Sequence, residues 1–468
     1  MSTHKVRVIS TTVMGTFDPE TRWRDPNLTR LPAMPDKNRE AIVLCMDELL
    51  FPFCGPDDIL YSRCKLDPVL QEYLNGLGFS FRSHYHYDLN DPNEPLPEPD
   101  IFKRCIFRHA VDPDRHLQPM NKGRPFADSG WLSPYAITAD TEAYQQAARP
   151  LNPLPALETV IRVNSKLYHN RLLWRIGAKC WGTEVNSAAE IEETGNLLLK
   201  RGPYLLKDPF GVSGKGNLLI DSEVMQRRIM SHLNQQENSG MYSQFLLEPL
   251  LHKETDFSSH WFIRVSGEKE LISIQRMINH QQNYSGSIQA DQAFIHLLEK
   301  ADYFAVIENA LRLLAEDGYF GFVCIDSMIL KGGEVVPIVE INARKSMGLI
   351  NAYLDKHWGP YGCTSWLTFL SLGLPDGFVF GRLLHILRES NLLLTAPGSY
   401  GIVPLSSNTV MVNEFLIRRR IADGIQIKPI MPKGRLYVSV VGRDDEHRSE
   451  LLQDLRQVLA DLSIKVYN

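Results

Sequence analysis

Asp326, Glu340 and Asn342 carry the clearest chemical signal in the sequence. Glu340 and Asn342 stand two apart at the end of the apolar run Val335–Ile341, so in a strand their side chains share a face. The turn Lys331-Gly332-Gly333-Glu334 folds that strand back on the stretch that holds Asp326. A three-residue loop over Gly332–Glu334, or a bulge near Pro337, sets Asp326 opposite Glu340; a two-residue loop sets it opposite Val339 and breaks the cluster. Two carboxylates and an amide oxygen among apolar residues call for a cation. Mg²⁺ suits them, because it takes one or two carboxylates and completes its shell with phosphate oxygens and water. The competing reading leaves one acid to solvent and pairs the other with Arg344.

A second signal lies upstream in Gly211-Val212-Ser213-Gly214-Lys215-Gly216. Glycines let backbone N–H groups approach phosphate oxygens closely. The lysine precedes the last glycine and an apolar strand, Leu218–Ile220, follows. The P-loop and dinucleotide spacings therefore both fail. The pattern is strand, glycine loop, strand, with Lys207 closing the first strand. That arrangement lays a flap over a triphosphate, and a plain β-hairpin with a flexible tip is the alternative.

The elements around these residues follow from local signals. Asn164 or Ser165 can cap a helix that stops at Gly177, and Asp221 or Ser222 can cap another carrying Val224, Met225, Ile229 and Leu233. Ser243–Leu247 is a strand halted by Pro249, and a hairpin turns at Gly267. A helix carrying Phe304, Ile307, Leu311 and Leu314 ends at Gly318. Before about residue 155 the chain is loop-heavy, with an opening strand at Val6–Ile9, a helix at Pro68–Leu77 and a Pro-rich linker at Arg149–Pro155. Gly15 stands alone after the opening strand, with no glycine at dinucleotide spacing, so no dinucleotide fingerprint exists there. From about residue 350 come a long apolar helix, a strand at Leu436–Val441 and a closing helix, capped by Ser449, to about Leu462.

Composition narrows the class. At 468 residues the chain accommodates about three domains. A net charge of -5 and a pI near 6.3 give no electrostatic reason to bind nucleic acid. Seven cysteines without a C-x-x-C pair read as reduced thiols rather than disulfides or a zinc site. No apolar h-region or membrane-length run is present, so the expectation is a cytoplasmic protein with no membrane partner. His84 and His86, two apart, read as a polar surface strand rather than metal ligands.

Over residues 160–350 these motifs, in this order, resemble the ATP-grasp superfamily. The resemblance implies two α+β subdomains gripping ATP, an α/β pre-ATP-grasp domain before them and an α/β extension after. The expected boundaries are 1–155, 156–349 (small subdomain about 160–247, large about 248–349) and 350–468. On this resemblance Lys166 and Lys207 are the ATP lysines, and the segment with Gly211, Ser213, Gly214 and Gly216 is the flap. Glu248, Leu250 and Leu251 hold the adenine, while Asp256, or its rival Glu254, holds the ribose. Asp326, Glu340 and Asn342 are the magnesium ligands. Cys324 stands where D-Ala–D-Ala ligases place an arginine, which leaves Arg344, Arg264 or Arg276 to stabilise the acylphosphate. His260 and the loop Tyr284-Ser285-Gly286 are further places where substrate could touch.

The implied activity is an ADP-forming carboxylate–amine ligase using ATP and Mg²⁺. It is most similar to natural-product peptide ligases of the pheganomycin-ligase type. Its substrates would be a small-molecule or peptide acid and an amine, either free or presented by a carrier protein, and similar enzymes are often homodimers. A phosphotransferase on the same fold and a non-catalytic ATP-binding regulator are the alternatives.

Overall fold

The computed structural model describes residues 9–33, 36–91, 129–148, 150–212, 215–280, 283–426 and 430–468. Val6–Val8 of the expected opening strand, and Ser213 and Gly214 of the flap, lie outside the described residues.

Three sheets organise the chain. The first is wholly parallel, with strands β1 (Ser10–Met14), β2 (Ile59–Cys64), β3 (Arg82–Tyr87) and β4 (Ser129–Pro134) in the order β3-β2-β1-β4. Parallel neighbours need a crossover of a dozen residues or more, which explains why this region reads as scattered loops. The helix Pro68–Gly76, capped by Asp67, serves one such crossover. His84 and His86 lie on β3.

The second sheet is antiparallel and small: β5 (Thr183–Val185), β6 (Tyr204–Val212), β7 (Lys215–Ile220) and β8 (Phe245–Pro249), ordered β5-β8-β6-β7. Helices Ala188–Leu199 and Glu223–Asn238 supply Ile191, Ile229 and Leu233 to its core, which is separate from the main core. Ser222 caps the second of these through Met225 N.

The third sheet has nine strands. Its first half holds β9 (Lys253–Ile263), β10 (Lys269–His280), β11 (Asn283–Gln289), β12 (Gly321–Leu330) and β13 (Val335–Asn342). Its second half holds β14 (Thr364–Gly373), β15 (Gly401–Pro404), β16 (Lys433–Gly442) and β17 (Lys465–Val466). The order is β13-β12-β9-β10-β11-β14-β16-β15, with β17 also on β14. Strands from beyond residue 350 thus continue the sheet that carries Asp326 and Glu340. One face is covered by the helix Tyr303–Glu316, whose Ile307, Leu311 and Leu314 recur at helical spacing and are fully buried. Helix Met347–Trp358 lies on the other face, where Asn351 Nδ2 donates to Gln275 Oε1 at 2.9 Å.

The closing helix runs Asp445–Asp461. Its cap is Asp444, which accepts from His447 N, and not Ser449; Ser449 lies inside the helix and donates to Asp445 O. The acid wins because its carboxylate both accepts the orphan N–H and favours the positive end of the helix dipole.

A buried acid joins the N-terminal and C-terminal parts. Glu48 accepts from Asn408 N at 3.2 Å and Thr409 N at 3.0 Å, capping the helix Asn408–Ala422. Burial pushes its carboxyl up to about 8. The folded protein therefore keeps this proton to about pH 8, whereas the unfolded chain releases it near the ordinary glutamate value. Stability from this group is full at low pH and is lost as pH rises through that window. Glu48→Gln should flatten the response: its Tm is expected to fall less than that of the wild type between about pH 5 and 8, measured by thermal denaturation.

Candidate functional site

The site lies where the small sheet faces the edge of the large one. Ser165 caps helix Lys166–Arg175 by accepting from Leu167 N, which fixes Lys166 at the first turn. From there Lys166 Nζ reaches Glu340 Oε1 at 3.0 Å and the flap carbonyl of Gly211 at 2.9 Å, with only 3% of the side chain exposed. Lys207, on β6, is buried and ion-paired with Glu248 of neighbouring β8. The flap is the β6–β7 hairpin. At its base Gly216 has φ 103°, and a Cβ there would sit 2.5 Å from Gly211 Cα, so the two strands approach as only glycine allows.

Asp326 of β12 lies directly opposite Glu340 of β13. The register gets there by the bulge and not by a loop over Gly332–Glu334. The turn closes one residue earlier, where Leu330 N donates to Glu334 O, leaving Lys331–Gly333 as the loop. Met328 then pairs with Val336, and the register slips between Met328 and Asp326. The slack sits around Pro337, which has no N–H to give the ladder and whose carbonyl accepts from Ser327 Oγ at 2.7 Å.

Burial and the charge of Glu340 push Asp326 up to about 7. Burial also opposes ionisation of Glu340, but Lys166 and His169 outweigh it and hold that acid below its ordinary value. Asn342 Nδ2 donates to Asp326 Oδ2 at 2.9 Å, while its Oδ1 accepts from Arg344 Nη2 at 3.0 Å. The three side chains converge, and the pair carries more negative charge than Lys166 alone can balance. Among the described residues no three His, Cys, Asp or Glu side chains form a metal cage. The donor set of two acids and an amide fits a hard cation that shares its shell with phosphate. To offer its oxygen, Asn342 must turn its amide over.

Arg344 does not present a free fork. Nε and Nη2 contact Glu20 Oε1, Nη2 also meets Asn342, and Nη1 donates to Tyr135 OH and Lys345 O. Burial would lower its proton affinity, but Glu20 and Tyr135 raise it further above the ordinary guanidinium range.

The other two arginines are not brought to the acids. Arg264 follows β9 and pairs with Glu270 at 2.9 Å, six residues, or roughly 20 Å of strand, from Ser258, the partner of Asp326. Arg276 pairs in register with Phe257, and Phe257 with Ser327, so it points to the face opposite Asp326 and lies over Phe294.

Leu251, Leu246, Leu173, Trp181, Met328 and Ile338 line an apolar cleft with Lys166 and Glu248 at its margin. Leu250 instead donates its N–H to Pro203 O. Asp256 shares the Asp326 face of β9 and pairs with Lys253, whereas Glu254 is exposed. His260 is buried and hydrogen-bonded to Ser346 Oγ at 2.9 Å, and burial drives it down to about 3, so it stays neutral. Gly286 lies within β11, facing Thr368 of β14. Trp181 and Glu20 went unremarked in the sequence: a lone tryptophan and a lone glutamate have no spacing to mark them.

A small antiparallel sheet with a glycine hairpin and two lysines thus faces a larger antiparallel sheet with paired acids. This arrangement resembles the ATP-grasp fold.

No family model matches the chain. A curated relative, the [butirosin acyl-carrier protein]–L-glutamate ligase of Niallia circulans, is 30% identical over 194 residues, 41% of this chain and 45% of that one. The match thus spans less than half the length of that relative. Among solved structures, the L-amino acid ligase from Bacillus licheniformis is 11% identical with a TM-score of 0.48, covering 98% of this chain and 99% of that one. The N5-carboxyaminoimidazole synthetase from Staphylococcus aureus is 10% identical with a TM-score of 0.47, covering 99% and 100%.

Asp326→Asn removes the like charge from the half-buried pair while keeping its shape. The ligand-free variant at pH 8 should be more stable than the wild type by about 1–2 kcal/mol, read as a Tm higher by a few degrees. An unchanged or lower Tm would mean that the pair is not strained by its charge.

Proposed function

We propose that this chain is an ATP- and Mg²⁺-dependent ligase that activates a carboxylate as an acylphosphate and couples it to an amine, releasing ADP and phosphate. The observation that carries this reading is Lys166, joined at once to the flap carbonyl of Gly211 and to Glu340 of the acid pair. One cation there spans the two parts that would hold a triphosphate from either side. The likeness to an acyl-carrier protein–glutamate ligase favours amide chemistry and a carrier-presented substrate.

In this reading Lys166 and Lys207 exchange their carboxylate partners for phosphate oxygens, and the apolar cleft beside Glu248 takes the adenine. Asp256 takes the ribose. Asp326, Glu340 and Asn342 would hold Mg²⁺, which would supply neutralisation of the phosphate charge. A substrate carboxylate oxygen attacks the γ-phosphorus as its bond to ADP breaks. The amine nitrogen then attacks the acyl carbon, the C–O bond to phosphate breaks, and the ammonium proton is released. Arg344 contributes positive charge beside Asn342 and Asp326, and the flap keeps water from the acylphosphate.

The stretch 1–155, the core 156–349 and the region 350–468 are read as the three functional parts. The first and last hold the acid and amine in a cytoplasmic enzyme of small-molecule or peptide biosynthesis. No helix among the described residues is long and apolar enough to cross a membrane.

Phosphorus NMR of the enzyme with ATP, Mg²⁺ and pooled amino acids, peptides and amines tests the proposal. ADP and free phosphate should appear only when an acid and an amine are both present. Asp326→Ala and Glu340→Ala should each lower the rate by about 10²–10³ or more, and Lys207→Ala should weaken ATP binding. AMP with pyrophosphate would sink the acylphosphate route, and a new phosphoester signal would turn the reading to a phosphotransferase.

A further inference from the structure

After β1, residues 15–33 run as a strap that touches all three sheets or the segments leaving them. One end is fixed to the N-terminal domain: Phe17 stacks on Tyr135 with ring centroids 4.1 Å apart, and Trp23 Nε1 donates to Ile137 O at 2.8 Å. The other end is fixed to the small sheet's unit. Thr29 N and Tyr242 O bond at 2.9 Å, Tyr242 N and Asn27 O at 3.0 Å, and Thr29 Oγ1 and Ser243 Oγ at 2.9 Å. Leu31 packs into the small sheet's own core.

Two charged residues of this strap, four apart, reach the two halves of the site. Arg24 Nε donates to Asp208 Oδ2 at 3.0 Å, and Nη2 lies 2.9 Å from the same oxygen. It also donates to Asp25 O, Leu28 O and Thr29 O, which lock the guanidinium to the strap. Asp208 follows Lys207 on β6, and its other oxygen accepts from Phe210 N at 2.9 Å, shaping the base of the flap. Glu20 grips Arg344, which holds the amide of Asn342, which in turn bonds Asp326. Both pairs are largely buried, with side-chain exposures of 13% and 8% for Arg24 and Asp208 and 6% and 11% for Glu20 and Arg344.

We propose that Arg24 and Glu20 are positioning residues that hold the flap and the acid pair in register, Arg24 through Asp208 and Glu20 through Arg344. The strap then makes the N-terminal domain part of the nucleotide site without touching the nucleotide. The kinetic part of the test rests on the ligase reading above, while the exchange part does not.

Hydrogen–deuterium exchange of the ligand-free, full-length protein is the first measurement. Arg24→Ala should speed exchange at Phe210 and Gly211 about tenfold while leaving Phe245–Leu247 of the same sheet unchanged. Arg24→Lys, which keeps a cation facing Asp208, should restore part of that protection. In turnover assays Arg24→Ala should raise KM for ATP about tenfold with a smaller change in kcat, and Glu20→Gln should lower kcat about tenfold with KM for ATP little changed. Unchanged exchange at Phe210 and Gly211, or an equal rise at Phe245–Leu247, would overturn the proposal. If the wild type binds no Mg-ATP, the ligase reading fails, and the exchange comparison still decides whether the strap holds the flap.

Discussion

Setting Asp326 and Glu340 side by side in a half-buried site is the constraint on which the rest of the structure depends. Two carboxylates at one register position, both partly taken from water, repel each other and lose some of their hydration. The fold answers with charge from several directions. Lys166 comes from the helix before the small sheet, and Arg344 comes from the turn after β13 by way of Asn342. Each of these cations is itself buried and needs an acceptor elsewhere: the flap carbonyl for Lys166 and Glu20 for Arg344. The acid pair therefore organises contacts that reach all three sheets.

A further buried cation shows the same logic without chemistry. Lys345 donates to Ser133 O, Ser133 Oγ and Pro134 O, and its ammonium lies between the rings of Phe53 and Phe322. Burial lowers it to about 7. It joins the end of β4 to the residue after Arg344, so the segment leaving the acid pair is tied to the N-terminal sheet twice in succession. Charged groups that pay a desolvation penalty are tolerable only with several fixed acceptors, and the parallel sheet supplies them at its carboxyl end.

Local signals made the core of the site legible. Ser165 announced the helix that places Lys166, the glycine run announced the β6–β7 hairpin, and period-two spacing put Glu340 and Asn342 on one face. The pairing of Asp326 with Glu340 was legible only as one of several registers, because a bulge at Pro337 is a tertiary choice between ladders of similar quality. The parallel sheet was not legible, since its strands are short and its pairings join distant segments. The strap was hidden for the same reason: Arg24 and Asp208 are 184 residues apart, and Glu20 and Arg344 are 324 apart. Neither partner carries a local motif. The missed closing-helix cap was a choice between two good candidates, and the acid nearest the first turn prevailed.

The nine-stranded sheet has a narrow seam. Among the described residues its two halves meet where Gly286, Ser287 and Ile288 of β11 pair with Thr368, Leu367 and Trp366 of β14. A side-chain carbon at Gly286 would lie 2.5 Å from Leu367 O, so the join closes over a residue chosen for having none. The strands on the early side, β9 to β13, are mostly hairpin neighbours, whereas those on the late side must wait for chain made well afterwards. During synthesis the half bearing the acids can assemble first and present an open edge at β11, which β14 then seals. The region beyond residue 350 is in this sense the stitching that finishes the sheet, and the ribosome makes it after the half that bears the acids.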